Sequence, residues 1–159
     1  MTRVWRIATR RFAATAFDGE GARPYGGRWN SPGESVVYCA ATASLAVLEM
    51  LVQDSPLRAR YALISANIPS SLRIDKLTPR QMPARWRDPR GNEALRVLGD
   101  QWLRSGSSAV LLVPSAVIPD ESNYLLNPAH ADFRHIKIGQ PADLDTDARL
   151  VARTRRAPG

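Results

Sequence analysis

Three residues of different chemistry stand between positions 25 and 52, and each belongs to a different kind of local structure. Arg28 stands in a glycine-rich loop, Tyr38 in a short apolar strand and Glu49 inside an apolar helical run. Because burying an unpaired carboxylate is very costly, Glu49 must turn to solvent or find a cation, and Arg28 is the nearest candidate in this stretch. Together the three suit an anionic substrate with a cleavable glycosidic bond. Each residue also has a purely structural interpretation. Arg28 would be an exposed loop charge, Tyr38 a core residue, and Glu49 the ion-pair partner of Arg28.

The pattern predicts the elements that must position these residues. Prolines and glycines exclude regular structure across most of 17–33, so we expect a long loop there. A strand over 35–40 leads to a helix over about 44–53, which Thr42 caps. Because strands and helices interleave without strict alternation, we expect a single α+β domain with a mixed, mostly antiparallel sheet. The other predicted elements are strands over 4–8, 61–68, 109–113 and 133–138 and a helix from the Asp88-Pro89 pair to about Arg104.

Length and composition favour one domain in a chain of 159 residues. We expect this domain over residues 1–140 and a polar, arginine-rich, mobile tail over 141–159. The chain has no apolar run near the roughly 20 residues that a membrane helix needs, and its start has no signal-peptide core. We therefore expect a cytoplasmic protein that does not contact a membrane.

The charge points to an anionic partner, because the net charge is +7 and only Lys76 and Lys137 of the 22 cationic residues are lysines. The arginines of 69–90 would form either a basic recognition surface or, as we expect, a solvated loop. One cysteine and two histidines give no zinc spacing, so we expect no metal. Acyl-transfer chemistry would need Ser115 or Cys39 beside a histidine, and no nucleophile elbow surrounds Ser115.

Four segments of the chain resemble the RES domain family, the toxins of bacterial RES-Xre toxin–antitoxin systems. They are Gly-Gly-Arg-Trp-Asn at 26–30, Val-Tyr-Cys-Ala at 37–40, Ser-Leu-Ala-Val-Leu-Glu at 44–49 and Leu-Leu-Asn-Pro-Ala-His at 125–130. The resemblance starts at Trp5 and extends to about Ile138.

The resemblance implies a fold related to ADP-ribosyltransferase toxins, NAD as the substrate, and inhibition by a cognate Xre-type helix-turn-helix antitoxin. It implies catalytic roles for Arg28, Tyr38 and Glu49. Further pocket residues are expected in the matching segments and in the glycine-rich loop: Arg6, Tyr25, Trp29, Asn30, Ser44, Ser115, Asn123 and His130. We expect a homo-oligomer within the antitoxin complex, and contact with nucleic acid only through the antitoxin.

The chemistry of NAD fits these residue types. An arginine can hold a phosphate oxygen, a tyrosine can stack on or orient the nicotinamide ribose, and a glutamate can bind the ribose hydroxyls and stabilise the positive charge that develops there. The acceptor of the ribosyl group is left open among water, inorganic phosphate and a protein side chain, the last giving a protein ADP-ribosyltransferase. Two other classes stay open: an arginine-rich RNA-binding protein or a ribonuclease using His130, and a non-catalytic subunit that only binds a partner.

Overall fold

The structure, a computed structural model, describes residues 1–53 and 60–150. Its elements are eight strands, two α-helices and three short 3-10 helices. The strands are β1 (Thr2–Thr9), β2 (Val37–Ala40), β3 (Tyr61–Ile68), β4 (Ile74–Lys76), β5 (Val110–Pro114), β6 (Ser122–Leu126), β7 (Lys137–Ile138) and β8 (Ala142–Asp143). The α-helices are α1 (Ala43–Gln53) and α2 (Glu93–Ser105), and the 3-10 helices cover Arg10–Thr15, Pro79–Gln81 and Ala131–His135.

All eight strands belong to one mixed sheet. Its order is β4-β5-β6-β2-β1-β3-β7, and β8 also pairs with β3. β4 and β5 run parallel, whereas the other pairs are antiparallel. The expected α+β fold with a mixed, mostly antiparallel sheet is therefore confirmed.

The cap of α1 agrees with the prediction from the sequence, whereas the start of α2 does not. Thr42 caps α1 as expected, because its hydroxyl accepts a hydrogen bond from the Leu45 amide at 3.0 Å. The expected start of α2 at Asp88-Pro89 is wrong: the helix begins at Glu93, and the Asn92 side chain accepts from the Ala94 amide. The Asp88 carboxylate is instead bound by the backbone amide and the guanidinium of Arg90.

The last part of the sheet also differs from the predicted pattern. The expected strand over 133–138 is reduced to β7, because residues 131–135 form a 3-10 helix whose first turn is capped by the His130 side chain. β4 and β6 were not predicted. β8 lies inside the segment expected as a tail, and Arg153, Arg155 and Arg156 lie outside the described residues, so the domain boundary stays a prediction.

The sheet opens between β1 and β2. β1 pairs with β3 along eight residues, from Thr2 to Thr9, but its register with β2 is the single pair Trp5↔Ala40. The Arg6 guanidinium occupies part of this opening and donates to the Tyr38 carbonyl at 3.0 Å. A polar side chain thus takes a place that backbone pairing would otherwise fill.

The two α-helices pack on the sheet through separate apolar clusters. In α1, buried Leu45 and Ala46 pack with Ala40 and with the partly buried Trp5. The cluster under α2 includes Leu95, Trp102 and, from the glycine-rich loop, Trp29, which is only 3% exposed. The loop therefore contributes to the core.

In the part of the chain that the structure describes, no helix has the length and apolar character to cross a membrane.

We predict that Gly99→Ala destabilises the protein although alanine favours helix. A Cβ at Gly99 would overlap the Trp29 carbonyl oxygen, which cannot move without shifting the loop. The gain in helix propensity is about 1 kcal/mol, and we expect the clash to outweigh it and to lower the free energy of unfolding by about 2 kcal/mol. Denaturant unfolding measures the effect. The matched control is Val97→Ala at an exposed position of the same helix, and equal stability of Gly99→Ala and wild type would contradict the close contact.

Candidate active site

The glycine-rich loop is built around the fully buried side chain of Asn30. Its amide nitrogen donates to the carbonyls of Ala22 and Glu34 at 3.1 and 3.0 Å, and its amide oxygen accepts from the Tyr38 hydroxyl at 2.5 Å. The same hydroxyl accepts from the Trp29 amide at 3.1 Å. One asparagine and one tyrosine therefore fix the turn that presents Arg28.

The turn also requires glycine. Gly26 has a φ of +73°, and a Cβ there would lie 2.7 Å from the Asn30 carbonyl oxygen. A Cβ at Gly27 would lie 2.8 Å from the Tyr38 hydroxyl. The two glycines allow the chain to pass close over the Asn30–Tyr38 hydrogen bond.

One face of α2 holds the loop from the other side. Asp100, itself buried, accepts from the Ser31 amide at 2.9 Å and from the Ser31 hydroxyl at 2.6 Å. Arg96 donates to the Gly27 carbonyl at 3.2 Å, and Arg104 pairs with the carboxylate of Glu34, directly after the loop, at 2.7 Å. Sequence reasoning missed these three residues, although their spacing of four along a helix puts them on one face.

Arg28 is anchored by backbone rather than by an acid. One terminal nitrogen of its guanidinium donates to the carbonyls of Trp86 and Asp88 at 2.9 and 3.1 Å. Within residues 1–53 and 60–150, no carboxylate forms an ion pair with it. The segment expected as a solvated loop thus supplies the anchor, and the positive charge of Arg28 stays unneutralised.

Glu49 is held by neutral donors. Its Oε1 accepts from the Ser115 hydroxyl at 2.7 Å and from the Asn123 amide at 2.6 Å. Ser115 is fully buried, and its oxygen accepts from the amides of Val117 and Ile118, which fixes the direction of its own hydrogen. The partner that the sequence suggested for Glu49 was Arg28; among the described residues the two form no ion pair.

Burial shifts the pKa of three side chains around the opening of the sheet. It lowers the pKa of Arg6, an effect that Cys39 and Asp18 partly offset. It raises the pKa of the Cys39 thiol to about 12, against a smaller opposing effect of Arg6. It also raises the pKa of Tyr38 above its ordinary value. At neutral pH the thiol and the phenol are both protonated.

A cavity of about 390 Å³ joins these groups. Six of the residues predicted for the site or its surroundings line it: Arg6, Arg28, Trp29, Tyr38, Glu49 and Asn123. Asn30 and Ser115 lie behind this lining and bond to Tyr38 and Glu49. A second, more open cleft lies beside Arg10 and Arg11, and none of the predicted site residues lines it.

Besides Asn30 and Ser115, three other predicted site residues do not line the cavity. Tyr25 is 90% exposed, and Ser44 is exposed on α1. His130 is engaged at both ring nitrogens, with the Gly106 carbonyl at 3.0 Å and the Asp132 amide at 3.1 Å. The roles expected for these three residues stay predictions, but the geometry of His130 is that of a residue joining a 3-10 helix to the end of α2.

Comparison with known proteins gives a family, relatives and a fold. The family model for the RES domain matches residues 3–147. A relative named Toxin Res, from Yersinia enterocolitica serotype O:8 / biotype 1B, is 41% identical over 150 residues, which are 92% of this chain and 98% of that protein. A relative named Prs ADP-ribosylating toxin, from Sphingobium sp. (strain YBL2), is 38% identical over 159 residues, which are 94% of this chain and 97% of that protein.

A solved structure shares the fold. It is the crystal structure of the M. tuberculosis MbcT-MbcA toxin-antitoxin complex, with a TM-score of 0.68, 20% sequence identity, and coverage of 96% of this chain and 88% of that chain. At this identity the likeness concerns the fold alone, and it agrees with the fold expected from the sequence.

We predict that Tyr38→Phe destabilises the protein through the loop. The substitution removes the hydroxyl that binds Trp29 and Asn30 and leaves the buried oxygen of Asn30 without its donor. An unsatisfied buried polar group of this kind costs about 1–3 kcal/mol, which thermal or denaturant unfolding detects. Tyr25→Phe is the control, because the Tyr25 side chain is exposed. Equal stability of the two variants would show that the loop does not depend on the Tyr38 hydroxyl.

We predict that stability falls as the pH rises above about 9 and that Cys39→Ala reduces this fall. The unfolded chain releases the thiol proton near the ordinary pKa of about 8.5, whereas the folded protein keeps it until the pH approaches the Cys39 pKa of about 12. The unfolded state is therefore favoured progressively across this window. From about pH 8 to about pH 10.5 the thiol alone should contribute a loss on the order of 2 kcal/mol. The test is to measure the free energy of unfolding of wild type and Cys39→Ala at several pH values. An equal fall of this free energy with pH in both proteins would contradict the prediction.

Proposed function

The chain belongs to the RES domain family, and we propose that it is the toxin of a toxin–antitoxin pair, an enzyme that cleaves the bond between nicotinamide and ribose in NAD. The observation that carries the proposal is the cavity. It holds an arginine and a glutamate that do not neutralise each other, each anchored by uncharged groups.

NAD offers both of these residues a counterpart. Its pyrophosphate is a dianion, and a guanidinium binds phosphate oxygens through charge-assisted hydrogen bonds. Among the described residues only one terminal nitrogen of Arg28 forms hydrogen bonds, so its other N–H groups are available to the phosphates. Arg28 thus positions the substrate along the cavity.

Glu49 acts on the ribose. Breaking the bond to nicotinamide develops positive charge on the ribose ring, and a fixed carboxylate next to that charge lowers the energy of the transition state. Ser115 and Asn123 fix the carboxylate of Glu49 without bringing a formal positive charge next to it. Nicotinamide leaves as a neutral molecule without being protonated, so the step needs no general acid, in contrast to ordinary glycosidases with their two carboxylates.

Tyr38 contributes its ring and its anchoring role. Its hydroxyl is already engaged with Trp29 and Asn30, and burial raises its pKa, which makes it a poor proton donor or base for the reaction. The ring lines the cavity and provides a surface for stacking. Tyr38 therefore orients the substrate and holds the loop of Arg28.

The names of the relatives support the biological part of the proposal. Three similar proteins are named Toxin Res, and the M. tuberculosis structure is that of a toxin-antitoxin complex. We accordingly propose that a cognate antitoxin, of the Xre helix-turn-helix type, binds this chain and inhibits it, and that the chain acts on the NAD of the cytoplasm.

Protein ADP-ribosylation is the second candidate, because one relative is named Prs ADP-ribosylating toxin. The same bond of NAD is cleaved, and only the acceptor differs. Water gives free ADP-ribose, inorganic phosphate gives a phosphorylated ADP-ribose, and a protein side chain gives a modified protein. Mass spectrometry of the products, with and without phosphate and candidate protein acceptors, distinguishes the three.

We predict that Glu49→Gln reduces nicotinamide release from NAD by at least about 100-fold, the size expected for losing one electrostatic group that acts in the transition state. The fold should persist, because the glutamine oxygen can still accept from Ser115 and Asn123. Release is followed chromatographically with purified protein, in buffers with and without phosphate.

Glu93→Gln is the matched control, since the Glu93 side chain is 77% exposed at the start of α2, and it should keep the wild-type rate. Failure of the wild-type protein to release nicotinamide in either buffer, or equal rates for Glu49→Gln and wild type, would overturn the proposed activity.

A further inference from the structure

Two buried side-chain polar atoms in the described part of the chain have no hydrogen-bond partner, namely Arg6 Nε and Asn123 Oδ1. Both residues line the cavity that also contains Glu49. Buried polar atoms are rarely left unpaired, because each unpaired atom costs stability. Their presence at one site indicates that a bound molecule completes it.

The orientation of the Asn123 amide is fixed by chemistry. The NH₂ group must face Glu49, because a carboxylate oxygen accepts hydrogen bonds and would repel the amide oxygen. The observed contact, from Asn123 Nδ2 to Glu49 Oε1 at 2.6 Å, has this arrangement. The unpaired atom Oδ1 is therefore an acceptor, and the bound molecule must present a donor to it.

Glu49 presents a second free acceptor next to this one. Both of its hydrogen bonds, from Ser115 and from Asn123, go to Oε1. Across residues 1–53 and 60–150, no side chain or backbone group donates to Oε2. The hydrogen-bonded pair of Glu49 and Asn123 thus offers two neighbouring acceptors, which suit two neighbouring hydroxyl donors.

We propose that Asn123 is a specificity-determining residue that reads the vicinal diol of the nicotinamide ribose: Asn123 Oδ1 accepts from one hydroxyl while Glu49 Oε2 accepts from the other. The inference rests on the proposed function, which puts this ribose beside Glu49. The site then requires both hydroxyls to be free, and it selects against substrates in which either hydroxyl is missing or substituted. Asn123 does this in addition to holding Glu49.

The two roles of Asn123 are separated by changing enzyme and substrate together. Nicotinamide release is measured from NAD and from its 2′-deoxy and 3′-deoxy analogues at the nicotinamide ribose, with wild type and Asn123→Ala. For each enzyme, kcat/KM for NAD is divided by kcat/KM for each analogue. The intrinsic reactivities of the substrates cancel when these ratios are compared between enzymes.

The control variant is Ser115→Ala, which removes the other donor to Glu49 Oε1 but takes no acceptor from the cavity. For one of the two analogues, we expect the ratio to fall about 10-fold to 100-fold in Asn123→Ala relative to wild type, and to stay within about threefold of wild type in Ser115→Ala. Unchanged ratios in Asn123→Ala, or an equal fall in Ser115→Ala, would overturn the inference and leave the proposed function standing.

Two further outcomes are decisive. If Asn123→Ala does not fold, Asn123→Ser replaces it, and wild-type ratios in this variant overturn the inference in the same way. If wild type releases no nicotinamide from NAD, the proposed function and this inference fail together. The wild-type reaction with NAD alone therefore tells the two failures apart.

Discussion

The hydrogen bond between the Asn30 amide and the Tyr38 hydroxyl is the contact on which the rest of the site depends. A fully buried amide must find partners for both of its polar atoms, and Asn30 finds them in a neighbouring strand and in two carbonyls of its own loop. The loop consequently closes around its own side chain. Trp29 then enters the core, and Arg28, one residue earlier, is directed to the cavity.

Charge is distributed in the cavity without being neutralised. Arg28 and Arg6 are bound to backbone carbonyls, and Glu49 is bound to a hydroxyl and an amide. Uncharged partners keep the side chains in place while leaving their charges available to a substrate. The opening of the sheet between β1 and β2 makes room for this arrangement, since it frees the Tyr38 carbonyl to accept from Arg6.

The sequence was sufficient for some of this structure and insufficient for the rest, for physical reasons. The α1 helix, its Thr42 cap and the irregular loop follow from local signals, and the family follows from short motifs. The start of α2 was ambiguous in the sequence, since Asp88 and Asn92 are both good caps. In the structure Asn92 caps the helix, and the Asp88 carboxylate binds Arg90 instead. The contact of Asp100 with Ser31 joins residues 69 positions apart, which no local pattern encodes.

The anchoring of Arg28 has a consequence for how this protein can vary in evolution. Its partners are the carbonyl oxygens of Trp86 and Asp88, and every amino acid has a carbonyl oxygen. Substitutions in this segment can therefore accumulate without removing the anchor, provided that the backbone keeps its path. An insertion or deletion has no such freedom, because it moves both oxygens. Selection on this segment should act on its length more strongly than on its composition.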